Sequence, residues 1–385
     1  MNKIRVLFPY VEAGLGHIMP MKSIDDSFRK KYGEKVEIVS SKFYTETNNP
    51  HLIRYEQMLA RQVRLYNGHP VIGHFATFCC EFFGTFLSSY NTLCFVFPFA
   101  YHAGKKHMQE LHPDVIFSTH WATNYYAHHI QKKPFTVMYC PDAQLNKLFE
   151  YHSDLNMISM PKGYEKALKK RKYTKDNMKM VPFLIRNEAF SISADKKELR
   201  KSLGLPENNF TILLAEGGYG IGKMKAICEL LIREHFPLTI IPVCGKNEKL
   251  FQYFQSLKPT KEITFLPQHF AKNILELEAS SDLFCGKSGN IIAEPTFFGV
   301  PSIITNCSTL IEKNIADHYV NTVGCAFKEF SPQKTVDAIK QFANDPTLLK
   351  PYQEAAKAYH DQFGSEYAAD LLWEAIKKQF PEIES

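Results

Sequence analysis

An apolar run ending in Cys285 gives way to Gly286-Lys287-Ser288-Gly289-Asn290 and then to Ile291-Ile292-Ala293-Glu294-Pro295. A strand that stops at glycines and restarts as a helix presents free backbone N–H groups and the positive end of a helix dipole, which together attract phosphate. Glu294, one turn inside that helix, is placed to accept both hydroxyls of a ribose. Phosphate and ribose at one turn make a nucleotide site. Taken alone, the turn is also a plain strand-to-helix connection of an α/β protein, so the other turns have to decide.

Three of them bear on it. Glu12-Ala13-Gly14-Leu15-Gly16-His17 follows the first apolar run; Gly14 and Gly16 let the backbone approach a ligand, and His17 opens the next helix. Met19 stands where a dinucleotide fingerprint needs its third glycine, which argues against a nicotinamide cofactor. A helix N-terminus lowers the basicity of a histidine and leaves the neutral imidazole that a general base requires; a histidine capping its own helix is the alternative. Glu216-Gly217-Gly218-Tyr219-Gly220-Ile221-Gly222-Lys223 carries four glycines in six residues ahead of a helical segment. Lys223 has neither the spacing nor the Ser/Thr partner of an NTPase P-loop, so the turn reads as a phosphate cradle or a loop that moves on domain closure. Phe265-Leu266-Pro267-Gln268-His269, just past a strand, offers backbone groups to a flat base edge.

The elements that must hold these turns alternate between two periodicities. Ile4 to Tyr10, Val36 to Val39, Val115 to Ser118 and Phe135 to Tyr139 are strand-like, and Met19 to Lys31 has helical spacing. After an irregular stretch from Arg186 to Asp195 the pattern restarts at Phe210 to Ala215, with a helix over Lys223 to His235 and strands at Leu238 to Val243, Ile263 to Leu266 and Leu283 to Cys285. Strand–helix alternation predicts parallel βαβ units, hence two doubly wound α/β domains whose ligands sit beyond the carboxyl ends of the strands. The expected boundaries are an N-terminal domain over 1–185, a linker over 186–208, a C-terminal domain over 209–360, and a tail over 361–385 whose helix packs back through Leu372 and Ile376.

A chain of 385 residues with 45% hydrophobic and 22% charged content suits two globular domains. Nine scattered cysteines without a Cys-x-x-Cys pair favour reduced, buried thiols and a cytoplasmic setting over a disulfide frame or a zinc site. The first strand begins almost at Met1, so no signal peptide is expected, and no apolar run reaches the roughly 18–20 residues that span a bilayer. Lys166, Lys169, Lys170, Arg171, Lys172, Lys175 and Lys179 crowd one segment with little compensation. No nucleic-acid-binding motif accompanies them, which leaves a solvated face or contact with anionic lipid. From Leu65 to Tyr101 lie Phe75, Phe78, Phe82, Phe83, Phe86, Phe95, Phe97 and Phe99, with Glu81 almost the lone charge. Such a stretch is either a set of buried helices or an apolar surface that enters a bilayer or holds acyl chains.

Taken in order, Gly14-Leu15-Gly16-His17, Pro113-Asp114-Val115-Ile116-Phe117-Ser118-Thr119-His120, Val243-Cys244-Gly245-Lys246-Asn247 and Gly286-Lys287-Ser288-Gly289 resemble family 28 of the glycosyltransferases over residues 1–330. That family includes plant monogalactosyldiacylglycerol synthase, bacterial processive diacylglycerol glucosyltransferases and the N-acetylglucosaminyltransferase that makes lipid II. The resemblance implies a GT-B fold, two Rossmann-like domains facing a cleft, and an inverting, metal-independent transfer from a UDP-sugar without a further cofactor. Motif by motif, it implies that Ser288, Gly289 and Asn290 meet the diphosphate, Glu294 the ribose, and Phe265 with Leu266 the uracil. Gly217, Gly218, Gly220, Lys246 and Asn247 complete the donor side, and Glu312 with Asn314 stands where the family reads the donor sugar. On the acceptor side it implies His17 as catalytic base, with Gly14, Gly16 and His120 nearby.

Two departures stand out. Leu15 interrupts the glycines of the first turn, and Thr309-Leu310-Ile311-Glu312-Lys313-Asn314 matches a Gly-Gln-Glu-x-x-Asn motif only at Asn314, with Glu312 shifted by one. Pro295 is expected to kink the ribose-binding helix. Asp114, Asp142 and His120 are the other candidates for the base, but each follows or ends a strand, where capping or orienting is the usual work. The expected function is a peripheral membrane glycosyltransferase acting on diacylglycerol or a related glycolipid. The alternatives are a transferase with a soluble acceptor, a UDP-sugar 2-epimerase, and a non-catalytic nucleotide-sugar-binding protein.

Overall fold

The computed structural model of the protein describes residues 3–12, 15–83, 92–150 and 153–384. The chain divides into two compact units, the first made of Met1–Val63, Phe75–Asn187 and Gln362–Ser385, the second of Arg64–His74 and Glu188–Asp361.

In the first unit, six strands form one parallel sheet: β1 (Arg5–Tyr10), β2 (Glu37–Lys42), β3 (Val115–Ser118), β4 (Phe135–Cys140), β5 (Leu155–Ile158) and β6 (Met178–Met180), in spatial order β2-β1-β3-β4-β5-β6. Helices cover both faces, so the central strands read as continuous apolar runs; all four residues of β3 are buried. Its helices are α1 (Leu15–Tyr32), α2 (Pro50–Gly68) and α3 (Pro70–Phe83), of which residues 64–74 belong to the second unit, then α4 (Pro98–Glu110), α5 (Trp121–His128) and α6 (Pro161–Leu168). The helix Glu366–Gln379 completes its core by packing Ala368, Ala369, Leu372, Trp373 and Ile376 against α1 and the strand residues Val6 and Phe8. Ser365 ties its start down, with Oγ 2.7 Å from Ser27 Oγ and donating to the Ser23 carbonyl at 3.1 Å.

The second unit has its own parallel sheet, β7 (Phe210–Ala215), β8 (Leu238–Val243), β9 (Ile263–Phe265), β10 (Leu283–Lys287), β11 (Ser302–Asn306) and β12 (Ala326–Lys328), in order β12-β11-β10-β7-β8-β9. Before, between and after them lie α7 (Lys196–Ser202), α8 (Met224–Leu231), α9 (Glu248–Ser256), α10 (Ile274–Ser280), α11 (Ala293–Phe297), α12 (Leu310–His318), α13 (Pro332–Asn344) and α14 (Lys350–Ala358). The helix expected to reach His235 stops at Leu231. Its chain tightens into turns, Arg233 N to Leu230 O and Glu234 N to Leu231 O, before Pro237 forces residue 236 away from helical geometry.

The two surface features of the sequence resolve differently. Lys147, Lys170 and Lys172 all pair with Glu150, so the basic segment is compensated more than its composition implies. In the aromatic stretch Phe97 packs on Tyr55, ring centroids 5.2 Å apart, whereas Phe75, Phe82 and Phe95 are 70%, 71% and 77% exposed. Phe86 lies outside the described residues, as does the side chain of Phe83. The buried-helix reading therefore fails for the outer face of α3. All nine cysteines are free; Cys140, Cys228, Cys244, Cys285 and Cys325 are buried, and burial raises their thiol pKa values. Among the described residues no helix is long and apolar enough to cross a membrane.

Candidate functional site

Each sheet has one place where neighbouring strands send their connections in opposite directions, and there no crossover helix covers the carboxyl ends. In the first unit it falls between β1, which leads outward to β2, and β3, which leads the other way to β4. The segment after β1 supplies His17 from the first turn of α1, and the segment after β3 supplies Thr119 and His120. His17 Nδ1 lies 2.8 Å from the Thr119 carbonyl oxygen, while Thr119 Oγ1 donates to the His17 carbonyl at 2.9 Å. A carbonyl only accepts, so Nδ1 carries the proton and Nε2 keeps its lone pair. Burial lowers the His17 pKa below the ordinary 6.5, against the opposing pull of that carbonyl. A neutral imidazole with a bare Nε2 is the form a general base must have.

His120 has the opposite polarity. Its Nδ1 accepts the Ala122 amide at 3.2 Å as the N-cap of α5, which places the proton on Nε2. Burial, with a smaller contribution from His17, holds its pKa well below 6.5. The two rings meet edge-on with centroids 5.1 Å apart, and Phe149 stacks over His17 at 6.2 Å. Gly16 directly precedes His17 in α1; Gly14 lies outside the described residues. Asp114 sits at the opposite, amino end of the sheet, where its carboxylate accepts the Arg5 amide at 3.0 Å and the Lys132 ammonium at 2.6 Å. Asp142 accepts from the Asn146 side chain at 3.0 Å.

The second unit turns between β7, which leads to β8 and β9, and β10, which leads to β11 and β12. Around this point the 216–223 loop, the turn after β8 and the end of β10 are packed backbone against backbone. A β-carbon on Gly245, at φ +60°, would come within 2.4 Å of the Gly218 carbonyl, and one on Gly220, at φ +57°, within 2.7 Å of the Cys244 carbonyl. The Lys246 amide donates to the Gly218 carbonyl at 2.7 Å and its side chain is exposed.

A phosphate cradle at the start of α8 is not what the chain builds. Buried Glu216 occupies those amides itself, accepting Lys223 N at 2.7 Å and Met224 N at 3.1 Å, and it takes the Thr305 hydroxyl at 3.2 Å. A β-carbon on Gly222 would lie 2.1 Å from this carboxylate, so that glycine makes room for an internal anion.

Beyond β10 the structure also differs from a plain helix start. Asn290–Ile292 form a 3-10 turn that runs into the five-residue α11, and Glu294 is buried on it. Pro295 sits in the first turn of α11, where no amide hydrogen is required, and so it does not kink the helix. Ser288 is engaged inside the fold: its amide donates to the Asn306 carbonyl at 2.8 Å and its hydroxyl to the Glu312 carbonyl at 2.6 Å. Gly289, at φ +144°, faces open space, with nothing within 4 Å of where a β-carbon would stand. Glu312 accepts Lys287 Nζ at 2.8 Å and the Ser308 amide at 2.5 Å; Asn314 lies half-buried one residue beyond Lys313 on α12.

Some positions named from the sequence turn out to have structural work. Asn247 is the N-cap of α9, accepting Leu250 N at 3.1 Å, and Phe265 packs its ring on Phe254 at 5.7 Å. The Leu266 amide donates to the Ile240 carbonyl at 2.9 Å. Asn247→Ala should therefore lower stability by about 1 kcal/mol, read as a small drop in melting temperature, and leave nucleotide affinity unchanged. Thr119, Phe149, Glu216 and Lys287 take part without having been singled out. Thr119 and Lys287 lie inside quoted motifs, but Phe149 and the capping by Glu216 depend on loop geometry that no short pattern carries. Among the described residues no group of three His, Cys, Asp or Glu side chains is placed to hold a metal ion.

No family model matches the chain. Monogalactosyldiacylglycerol synthase 3 of Arabidopsis thaliana is 23% identical over 377 residues, covering 91% of this chain and 77% of that protein. The monogalactosyldiacylglycerol synthase of Spinacia oleracea is 27% identical over 156 residues, 38% of this chain. The chain spans only 28% and 29% of the length of the tobacco and spinach relatives. Among solved structures, Acinetobacter baumannii MurG aligns with a TM-score of 0.59 at 12% identity, over 97% of this chain and 100% of that one. UDP-GlcNAc 2-epimerase from Neisseria meningitidis, bound to UDP-GlcNAc, aligns with a TM-score of 0.56 at 14% identity, over 98% and 100%. The resemblance to family 28 glycosyltransferases holds, and the two doubly wound units are those of the GT-B fold.

Proposed function

We propose that the protein is an inverting glycosyltransferase that moves a sugar from a UDP-sugar to a hydroxyl of a lipid acceptor, diacylglycerol or a related glycolipid. The observation that carries this reading is the tautomer of His17. With Nδ1–H spent on the Thr119 carbonyl, Nε2 is left to take the proton of an acceptor hydroxyl as the oxygen attacks the anomeric carbon. The glycosidic bond forms on the face opposite the departing UDP, so one base suffices. On the donor side, the backbone at Gly289 and Asn290 is assigned to the diphosphate, Glu294 to the ribose, the 265–266 backbone to the uracil, and Gly217, Gly218, Lys246, Glu312 and Asn314 to the surrounding wall. Preorganised amides in such a place stabilise developing negative charge without reorganising.

The lipid part of the proposal is supported by the first unit's surface. Phe75, Phe78 and Phe82 share the exposed face of α3, spaced as successive helical turns, and Phe95 and Phe99 of the same unit are exposed as well. Glu81, on the same helix, accepts the Lys147 amide at 3.2 Å and so joins this aromatic face to the lysines around Glu150. Apolar rings beside lysine ammonium groups suit a peripheral protein on an anionic bilayer. Co-sedimentation with vesicles, paired with an assay for released UDP, tests both halves. Binding that rises with anionic lipid and falls on replacing Phe75, Phe78 and Phe82 by serine is expected; indifference to every vesicle removes the lipid acceptor. Glu294→Ala should weaken UDP binding by at least about tenfold, the size of one lost hydrogen bond to a charged group.

A second reading, a non-catalytic nucleotide-sugar-binding protein of the same fold, is favoured by one observation. Apolar Leu310 and Ile311 stand where the family reads the donor sugar, and Glu312 is turned inward onto Lys287. UDP binding without turnover on a broad acceptor panel would select it.

A further inference from the structure

Lys287 ends β10 at the point where the second sheet reverses its winding, beside Ser288 and Gly289. Its ammonium is held 2.8 Å from Glu312 Oε1 and 2.9 Å from Asn67 Oδ1, the latter on the end of α2 that belongs to the second unit. Only 12% of the Lys287 side chain and 13% of the Glu312 side chain are exposed. An ammonium has three hydrogens, and two are used. Among the described residues the third has no partner.

A charge pair this deep carries a desolvation cost that apolar residues of the same volume would avoid, so the fold gains little stability from keeping it. What it keeps is a fixed cation. Glu312 is itself fixed, by the Ser308 amide at 2.5 Å and by the Ser288 hydroxyl on its carbonyl at 2.6 Å, so the ammonium cannot wander. Gly217 then bounds the opening. A β-carbon there would stand 3.1 Å from Lys287 Cε and 3.8 Å from Nζ, and its φ of +72° already favours glycine. The absence of a side chain at 217 leaves that side of the lysine uncovered.

We infer that Lys287 is a donor-binding residue, whose remaining N–H takes an oxygen of the terminal phosphate of a nucleoside diphosphate and whose charge stabilises that diphosphate as it leaves. The inference rests on the UDP-sugar reading above and assigns within it a residue that reading did not use. Glu312 is then a positioning residue, which orients the ammonium. The arrangement also accounts for the missing polar side chains at 310 and 311, since the one acid of that segment is committed to the lysine.

The test is calorimetric titration of the full chain with uridine, UMP and UDP. The variant Lys287→Gln retains hydrogen bonding to Glu312 and Asn67 without the charge; Lys287→Met removes both, and Lys287→Arg restores the charge. Expected is a loss of UDP affinity of at least about tenfold in Lys287→Gln, the worth of one charge-assisted hydrogen bond. Uridine and UMP should bind within about twofold of the parent, the salt dependence of UDP binding should flatten, and Lys287→Arg should recover part of the loss. Unchanged UDP affinity in Lys287→Gln, at an unchanged melting temperature, overturns the inference alone. Equal losses for uridine, UMP and UDP overturn it in favour of a purely structural pair. A parent chain that binds none of the three overturns the nucleotide reading on which it stands.

Discussion

Replacing His17 by alanine should lower kcat by about a hundredfold to ten-thousandfold, the usual contribution of a positioned general base, while UDP binds as before. The separation follows from placement: His17 belongs to the unit around β1 and β3, and the residues assigned to the donor belong to the other. A base that acts only as the proton moves contributes to the transition state and not to donor binding, so kcat and kcat/KM should fall together. The lowered pKa of His17 sets the pH profile. Its base form persists below pH 6.5, so the acid limb of kcat/KM should lie below the ordinary imidazole value and vanish in His17→Ala. Stability should follow the same direction. His17 and His120 both have folded pKa values below 6.5, so the unfolded chain binds protons more readily, and stability is lost as pH falls below about 6.5. A variant whose turnover survives the substitution would exclude His17 as the base. His17→Gln, polar but unable to take the proton, should be as inactive as His17→Ala.

Glu216→Ala should be the most destabilising of the substitutions considered, at about 3 kcal/mol, because two amides and a hydroxyl would lose their acceptor inside the fold. The carboxylate is almost fully buried, and burial raises its pKa even though Met224 N, Lys223 N and Thr305 Oγ1 all pull the other way. A shift of about 3 kcal/mol corresponds to a fall in melting temperature of roughly 6–12 °C for a unit of this size. Thermal unfolding followed by circular dichroism reads this directly. A change under about 2 °C would mean that α8 does not depend on its internal anion and that the 216–223 loop is open to an external one after all. Glu216→Gln, which keeps acceptor oxygen but adds donors facing other donors, should fall between the two.

The architecture was legible because its signals are local and repeated. Val115 to Ser118 and Phe210 to Ala215 are apolar on both faces, which only a covered parallel strand tolerates, and the helical spacing between such runs gives the alternation. His17 was legible for a similar reason, since a histidine straight after a strand and a glycine turn lies at the start of a helix. Its tautomer was not, because Thr119 is a hundred residues away and its carbonyl is anonymous in sequence. The glycine-rich turn at 216–223 shows how composition misleads. Its glycines suggested a cavity for phosphate, yet Gly220 and Gly222 are required by the approach of the Cys244 carbonyl and of Glu216, which no count of glycines distinguishes. Ser288 was read as a ligand contact from its place in the motif, but its donors face Asn306 and Glu312. Lys287 stood one residue earlier, and only the meeting of β10, α12 and the end of α2 gives it meaning.

The helix Glu366–Gln379 closes the core begun by β1 and α1, and that order has a consequence for synthesis on the ribosome. The residues of β1 and α1 cannot finish burying Val6, Ile24 and Phe28 until Leu372, Trp373 and Ile376 have been translated. The sheet made first is thus completed last, and nascent chains should dwell with one apolar flank uncovered while the second sheet folds. Chaperone dependence and sensitivity to proteolytic removal of the helix Glu366–Gln379 both follow from that late closure.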